Sequence, residues 1–244
     1  MLSFITILET LLDTIFPVYC ISCGKSGKNL CIKCLSTFPT AERESAKWIF
    51  PLFDYRHPPI KKAIWLLKYK GKKSLVKDFA EVLYGNILQE LADLKVMENF
   101  KEAILIPVPI NKTRKRERGF NQSELICDML IKLDKDANFK LDRGILVKTK
   151  DTGHQARINN RSERLKNIIG SFEINSKINT TVTLKGKNII LVDDVTTTGA
   201  TLSEARKILK EAGARKIVAF TVAHYFFHIS QIAPAIFFGL PSRA

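Results

Sequence analysis

The sequence has little that would carry it into or across a membrane. It contains no run of about 20 unbroken apolar residues, the length that a membrane-spanning helix needs. The most apolar segment, residues 217–240, is interrupted by two histidines, a glutamine and Pro234. The first residues, MLSFITILETLLDTIFP, have no basic leader and include Glu9 and Asp13, so we expect no secretory signal. We therefore predict a soluble, cytoplasmic protein without a membrane span.

Cysteine is scarce outside one short segment. Four of the five cysteines lie in CISCGKSGKNLCIKC, residues 20–34, as two CxxC pairs separated by a short Gly/Lys-rich turn. Two such pairs can close a tetrahedron of thiolates around zinc. Two disulfides or four reduced thiols are the alternatives, and disulfides are disfavoured in a cytoplasmic protein. We predict a structural zinc site, which would stabilise a segment too small for its own core. Its ligands are Cys20, Cys23, Cys31 and Cys34.

Acidic residues are absent between Arg56 and Lys77, where eight lysines and arginines lie. The whole chain carries a net charge of +15, which favours a polyanionic partner or an anionic ligand, although general solubility is an alternative. The charged outer face of an amphipathic helix would explain part of the basic run. A run of basic residues without an acid nevertheless carries more charge of one sign than the solvation of a helix surface requires.

Aliphatic strands alternate with helical segments after residue 48. Residues 48–56 alternate like a strand, and residues 58–91 follow the pattern of a short helix and then a longer one. Further strands are predicted at 103–110, 144–148 and 187–195, with a basic loop after the first of these. Continuous aliphatic strands between helices indicate a parallel sheet covered on both faces, and in such sheets ligands bind at the carboxyl ends of the strands.

Two adjacent acids, Asp193 and Asp194, follow one of these buried strands. The next residues, VTTTGATL, precede a helix, so their backbone N–H groups and threonine hydroxyls can converge on an anion while Gly199 permits close approach. A phosphate cradle beside two carboxylates suits a ligand with a phosphate and vicinal hydroxyls, and the carboxylates can bind Mg²⁺. An ordinary threonine-capped corner is the alternative, but a cap does not require two buried acids.

The segment LVDDVTTTGATL resembles the phosphoribosyl pyrophosphate (PRPP) signature of type I phosphoribosyltransferases. Further segments are LLKYKGKKSL (66–75), LIPVPI (105–110), RGFNQSE (118–124) and HQARINNRSERLKN (154–167). With the cysteine pairs, this ordered set resembles the ComF family, phosphoribosyltransferase-like proteins associated with natural competence and related to amidophosphoribosyltransferase-like proteins. The resemblance extends from about residue 16 to about residue 224.

The resemblance implies an α/β fold of the type I phosphoribosyltransferase class, a parallel sheet flanked by helices, with a small N-terminal zinc-binding module. We divide the chain into three predicted parts. They are an N-terminal helix with the four-cysteine zinc-binding module (1–47), a phosphoribosyltransferase-like domain (48–224) and a C-terminal tail of unknown role (225–244).

The resemblance also implies roles for site residues. Asp193 and Asp194 would hold the ribose hydroxyls and are the candidate catalytic residues. Arg118 and Gly119 would face the pyrophosphate, whose charge calls for cations and metal. The predicted 5′-phosphate cradle consists of Thr196, Thr197, Thr198, Gly199, Ala200 and Thr201.

The polar stretch 150–165 resembles the flexible hood that closes over PRPP in this fold. Its candidates to reach the ligand are Gln155, Arg161 and Arg164, although arginines in loops are more often surface residues. Thr197 stands where the 6-oxopurine branch of the fold has an aspartate, so hypoxanthine or guanine salvage is disfavoured.

These observations lead to two alternative functions. The first is a PRPP-binding competence protein that handles single-stranded DNA, with partners in the DNA-uptake machinery. Lys70, Lys72 and Lys73 would follow the DNA backbone while Trp65 and Tyr69 stack on bases. Core packing is the alternative for these two rings, because a four-residue spacing is typical of buried helix positions. The second function is a Mg²⁺-dependent phosphoribosyltransferase with an unidentified acceptor.

Overall fold

A computed structural model describes residues 17–42, 46–150, 168–175 and 184–226. Within these residues, five strands form a parallel sheet in the order β1–β7–β6–β2–β3, and β4 pairs with β5 as a separate antiparallel ribbon. The strands are β1 (Ile49–Asp54), β2 (Ala103–Pro107), β3 (Phe139–Leu141), β4 (Leu146–Lys148), β5 (Phe172–Ile174), β6 (Asn188–Thr196) and β7 (Lys216–His224). The predicted fold class is confirmed.

Helices cover both faces of this sheet. The helices among the described residues are α1 (Ile32–Leu35), α2 (Pro58–Lys70), α3 (Leu75–Glu98), α4 (Lys112–Arg118), α5 (Gln122–Leu133) and α6 (Ala200–Glu211). The short and long helices predicted within 58–91 correspond to α2 and α3. In the part of the chain that the structure describes, no helix is long and apolar enough to cross a membrane.

The central strand β6 shows why the sheet residues form continuous aliphatic runs. Its side chains alternate between two hydrophobic clusters, with Ile190 and Val192 in one and Ile189 and Leu191 in the other. All four side chains are fully buried. A strand covered on both faces buries every side chain, so it loses the alternation of a half-exposed strand.

Two elements differ from the sequence prediction. Residues 146–148 belong to the antiparallel ribbon, and the edge of the main sheet is instead the three-residue strand β3, too short to show a period. Residues 112–118, predicted as a basic loop, form helix α4. Asn111 caps this helix by accepting from the Arg114 N–H at 2.7 Å, and none of its residues is buried, so it lacks apolar periodicity.

The cysteine segment packs against the start of α3. Leu30 and Leu35 belong to the same hydrophobic cluster as the buried faces of α2 and α3. The Leu30 N–H donates to the buried carboxylate of Asp78 at 3.0 Å, and Asn29 donates to the Ser74 hydroxyl at 3.0 Å. Burial raises the pKa of Asp78, an effect that the Leu30 hydrogen bond partly offsets. The division between residues 47 and 48 stays a prediction.

We expect Asp78→Ala to lower the free energy of unfolding by about 1–3 kcal/mol, because it leaves the Leu30 N–H without its acceptor. Urea denaturation followed by tryptophan fluorescence measures the change. Asp93→Ala, an exposed acid on the same helix, is the matched control, with an expected change within about 0.5 kcal/mol. An equal effect of the two substitutions would contradict this account of how the cysteine segment is held.

Candidate functional site

The acid pair at the carboxyl end of β6 borders a cavity of about 430 Å³. The described lining residues include most of the predicted ligand site, namely Arg118, Asp193, Asp194, Thr196, Thr197, Thr198, Gly199, Ala200 and Thr201. Gly119 does not line this cavity, and it ends α4 in the left-handed conformation with φ 76°. The predicted hood residues Gln155, Arg161 and Arg164 lie outside the described residues. The roles assigned to all these residues stay predictions.

The carboxylate of Asp193 is held by hydrogen bonds from two directions. Its Oδ1 accepts from the Ser123 hydroxyl at 3.0 Å and from the Asp194 N–H at 2.9 Å. Burial raises the pKa of Asp193 to about 7, and the neighbouring charge of Asp194 adds to the rise, whereas Lys68 and these hydrogen bonds oppose it.

Ser123 reaches Asp193 because the RGFNQSE segment is anchored at the start of α5. The Asn121 side chain accepts from the Ser123 N–H and donates to the Val108 carbonyl, both at 3.0 Å. Asn121 and Ser123 are almost completely buried. The motif therefore connects the end of β2 to the acid pair, a function of Ser123 that the sequence analysis missed.

Lys68 contacts the other acid. Its Nζ lies 3.0 Å from Asp194 Oδ1, and the two side chains expose only 19% and 10% of their surface. Lys68 belongs to the basic run between Arg56 and Lys77, but it faces the cavity. The spacing along the helix indicates this orientation, since Lys68 follows the buried residues Ile60 and Ile64 at intervals of four and so lies on the same face.

The threonine loop is shaped by one glycine and one histidine. Gly199 adopts φ 68° at the N-cap of α6, a left-handed conformation that favours glycine. His224, which is buried at the end of β7, contacts the Thr197 carbonyl through Nε2 at 2.9 Å. No local pattern in the sequence indicates this contact, since His224 lies 27 residues from Thr197 along the chain.

Positive charge exceeds negative charge around the cavity. Among the described lining residues the cations are Lys68, Arg114, Arg118 and Lys148, and the acids are Glu117, Asp193 and Asp194. Such a lining favours an anionic ligand. The rings of Tyr55 and Tyr225 also line the cavity, edge to face with centroids 5.7 Å apart.

An aromatic strip on the surface leads to the mouth of this cavity. We define it as Trp65, Tyr69 and Arg118. Trp65 is 46% exposed and Tyr69 is 58% exposed, so the core alternative for these rings is wrong. Their centroids lie 6.3 Å apart, and the Arg118 guanidinium lies 5.3 Å from the Tyr69 ring. Tyr69 and Arg118 belong to both the strip and the cavity lining.

The lysines predicted to bind nucleic acid lie beside this strip. Lys70 is exposed, with its Nζ 5.6 Å from the centroid of the Trp65 ring. Lys73 is also exposed, and its Nζ lies 5.0 Å from the Phe120 ring, whereas Lys72 is partly buried. The exposed cations of α4 are Lys112, Lys115 and Arg116.

The four clustered cysteines have the geometry of a metal site. Their sulfur atoms all lie within 4.8 Å of one another, and the Sγ atoms of Cys23 and Cys31 are 3.7 Å apart. All are free thiols. Tetrahedral zinc with Zn–S bonds of about 2.3 Å places its sulfurs about 3.8 Å apart, so the cluster fits that ion. Cys20, Cys23, Cys31 and Cys34 can therefore hold a metal such as zinc.

Comparisons with known proteins find a matching domain and several similar proteins. A family model described as "Phosphoribosyl transferase domain" matches residues 137–230. The DNA utilization protein YhgH of Escherichia coli O157:H7 is 26% identical over 203 residues, which cover 81% of this chain and 80% of YhgH. Competence protein ComFC of Streptococcus pneumoniae is 34% identical over 156 residues, which cover 64% of this chain and 59% of ComFC. A solved structure of Hypoxanthine Phosphoribosyltransferase from Trypanosoma cruzi matches at 10% identity with a TM-score of 0.37, covering 61% of this chain and 68% of that one.

The parallel sheet, the acid pair at its carboxyl edge and the matched domain define a protein of the phosphoribosyltransferase fold class. The matched domain indicates a ligand of the phosphoribosyl type. The cysteine cluster lies N-terminal to this domain, which is the order that the sequence analysis predicts. Together with the matched domain, these similarities to YhgH and ComFC support a ComF-like, phosphoribosyltransferase-like protein.

We expect purified protein to contain about one zinc ion per chain, since four thiolates complete a structural zinc site. Cys31→Ser should lose the metal and lower the melting temperature, because the segment has no core of its own. Elemental analysis and thermal unfolding measure both effects. Cys127→Ala is the control that removes a cysteine outside the cluster, and it should retain zinc. Metal-free protein with an unchanged melting temperature would refute a structural role for the ion.

Proposed function

We propose that the protein binds PRPP in the cavity at the end of β6. The observation that carries this proposal is that the acid pair and the threonine loop line one cavity. The carboxylates of Asp193 and Asp194 accept hydrogen bonds from the ribose hydroxyls. The N-terminus of α6 and the residues before it offer N–H groups to the 5′-phosphate.

Cations in the cavity lining supply the charge that a pyrophosphate group needs. Arg114 and Arg118 on α4 belong to this lining, and Lys148 adds a third cation. Arginine donates several hydrogen bonds in a fixed geometry that matches phosphate oxygens. The carboxylate oxygens suit a hard cation, so Mg²⁺ would accompany the ligand and neutralise part of its charge.

The tyrosine pair Tyr55 and Tyr225 favours the second candidate function, phosphoribosyl transfer. Both rings line the cavity beside the acid pair, where a planar acceptor would lie close to the ribose. In such a transfer the bond from the ribose to pyrophosphate breaks, the acceptor forms the new bond, and the cations stabilise the departing pyrophosphate. The acceptor is unidentified.

We also propose that the protein handles single-stranded DNA during DNA uptake, in the cytoplasm and with protein partners from the uptake machinery. The printed names of its relatives, competence protein and DNA utilization protein, support this role. The aromatic strip supports it physically, because exposed rings stack on bases without reading sequence while nearby lysines contact phosphates.

We expect PRPP with Mg²⁺ to raise the melting temperature of the parent protein. At a ligand concentration of 100 Kd, the stabilisation is about 2.7 kcal/mol. The double variant Asp193→Asn, Asp194→Asn should lose it, because the ribose hydroxyls lose their charged acceptors. Thermal shift and calorimetry measure binding, and Asp93→Asn, on the exposed part of α3, is the control.

Equal stabilisation of the parent and the double variant would place the ligand elsewhere. Pyrophosphate release from PRPP in the presence of nucleobases, amines or ammonia tests the transferase alternative in the same preparations. Release that requires one acceptor and is lost in the double variant would establish transfer.

We expect single-stranded DNA to bind without sequence preference and with a steep salt dependence. Replacing Lys70, Lys72 and Lys73 with alanine should weaken binding and flatten the plot of log affinity against log salt by about 0.7 per lost contact. Trp65→Ala should instead cost about 1–3 kcal/mol with little change of slope, because stacking releases no counterions. Fluorescence anisotropy across a salt series separates these effects.

The matched control removes three exposed lysines that do not line the cavity, Lys95, Lys101 and Lys140. The control should keep both the affinity and most of the slope, although the net charge falls by the same amount. If the two triple variants behave alike, the basic run acts only through overall charge.

A further inference from the structure

The ion pair between Lys68 and Asp194 lies inside the cavity, on the residues that would otherwise attract a free metal ion. Two adjacent carboxylates in a partly enclosed cavity are a natural site for a hard divalent cation. Here the Lys68 ammonium lies 3.0 Å from Asp194 Oδ1, and both side chains are largely buried. The lysine side chain thus neutralises one carboxylate of the pair, that of Asp194.

The backbone of α2 holds this ammonium in position. The same helix buries Ile60, Ile64 and Leu67, which pack into the main hydrophobic cluster. The helix ends one turn beyond Lys68 at Gly71, whose left-handed conformation lets its N–H donate to the Leu66 carbonyl. The packing of these residues before Lys68 and the defined end of the helix after it therefore fix the backbone from which the side chain reaches Asp194.

Lys68 also supplies the excess of positive charge in the described cavity lining. The described lining has one more cation than acid, and without Lys68 the two would be equal. In a partly desolvated site such a difference strongly affects which ions enter, because charges there are weakly screened. With Lys68 in place, an anion enters more readily than a cation.

We propose that Lys68 is a built-in counter-cation that excludes free divalent metal from the acid pair. Mg²⁺ then enters the cavity only as a complex with an anionic ligand, whose phosphates supply the additional metal ligands. The first statement concerns the chain alone, whereas the second rests on the proposed binding of PRPP.

Mn²⁺ without any phosphoribosyl ligand is the probe for the first statement. Zinc-loaded protein is titrated with Mn²⁺, and electron paramagnetic resonance measures the ion that stays free. We expect the parent to show no saturable site that depends on Asp194. Lys68→Gln should gain one, with affinity higher by about tenfold or more, because the acid pair then lacks its counter-charge.

Three further variants make the result specific. Lys68→Arg keeps the charge and should gain no site, whereas Lys68→Gln combined with Asp194→Asn should lose the gained site. Lys68→Met keeps the apolar stem of the side chain and repeats the test if the glutamine variant fails to fold. An Asp194-dependent Mn²⁺ site of equal affinity in the parent and Lys68→Gln would overturn the inference, as would a Lys68→Met protein that folds and gains no site.

A separate titration with PRPP and Mg²⁺ distinguishes this inference from the proposed function. If PRPP binds neither the parent nor Lys68→Arg but the Mn²⁺ pattern holds, the exclusion of free metal stands and PRPP binding is refuted. If PRPP binds the parent at the acid pair but Mn²⁺ binds there equally well, the proposed function stands and the role of Lys68 is refuted.

Discussion

The site depends on keeping two adjacent carboxylates at the end of a buried strand. Burying such charge is unfavourable unless each carboxylate has partners. Ser123 donates to Asp193, and Lys68 pairs with Asp194. These partners come from α5 and α2, so the helices that cover one face of the sheet also meet the electrostatic requirement of its central strand. The hydrophobic cluster that they share with β6 keeps both partners in place.

Much of the fold could be predicted because the long strands are buried on both faces. The aliphatic runs of β2, β6 and β7 indicate a parallel sheet by themselves, and the contiguous segment from Asp193 to Thr201 carries the signature of its ligand site. Strand β3 and helix α4 were harder to predict from the sequence. Strand β3 is only three residues long, and helix α4 buries no side chain. A pattern needs several buried residues before it indicates an element.

The parts of the site that escaped prediction share a physical cause. Lys68, Ser123 and His224 each contact the acid pair or its loop from an element distant in sequence. Local patterns describe which side of a helix is buried, but they do not say which charge a buried polar side chain will meet. Lys68 belongs to a basic run, and only the packing of α2 separates it from neighbours that face outward.

Two faces of helix α2 contribute to different parts of the surface. Lys68 points into the cavity while Trp65 and Tyr69 lie on the exposed side, and consecutive residues of an α-helix differ by about 100° in direction. Inserting or deleting one residue upstream in Pro58–Lys70 would rotate tyrosine or leucine into the place of the ammonium. During divergence, the length of this helix between its proline start and its glycine end is therefore constrained, because a change of length would move the residues of both faces at once.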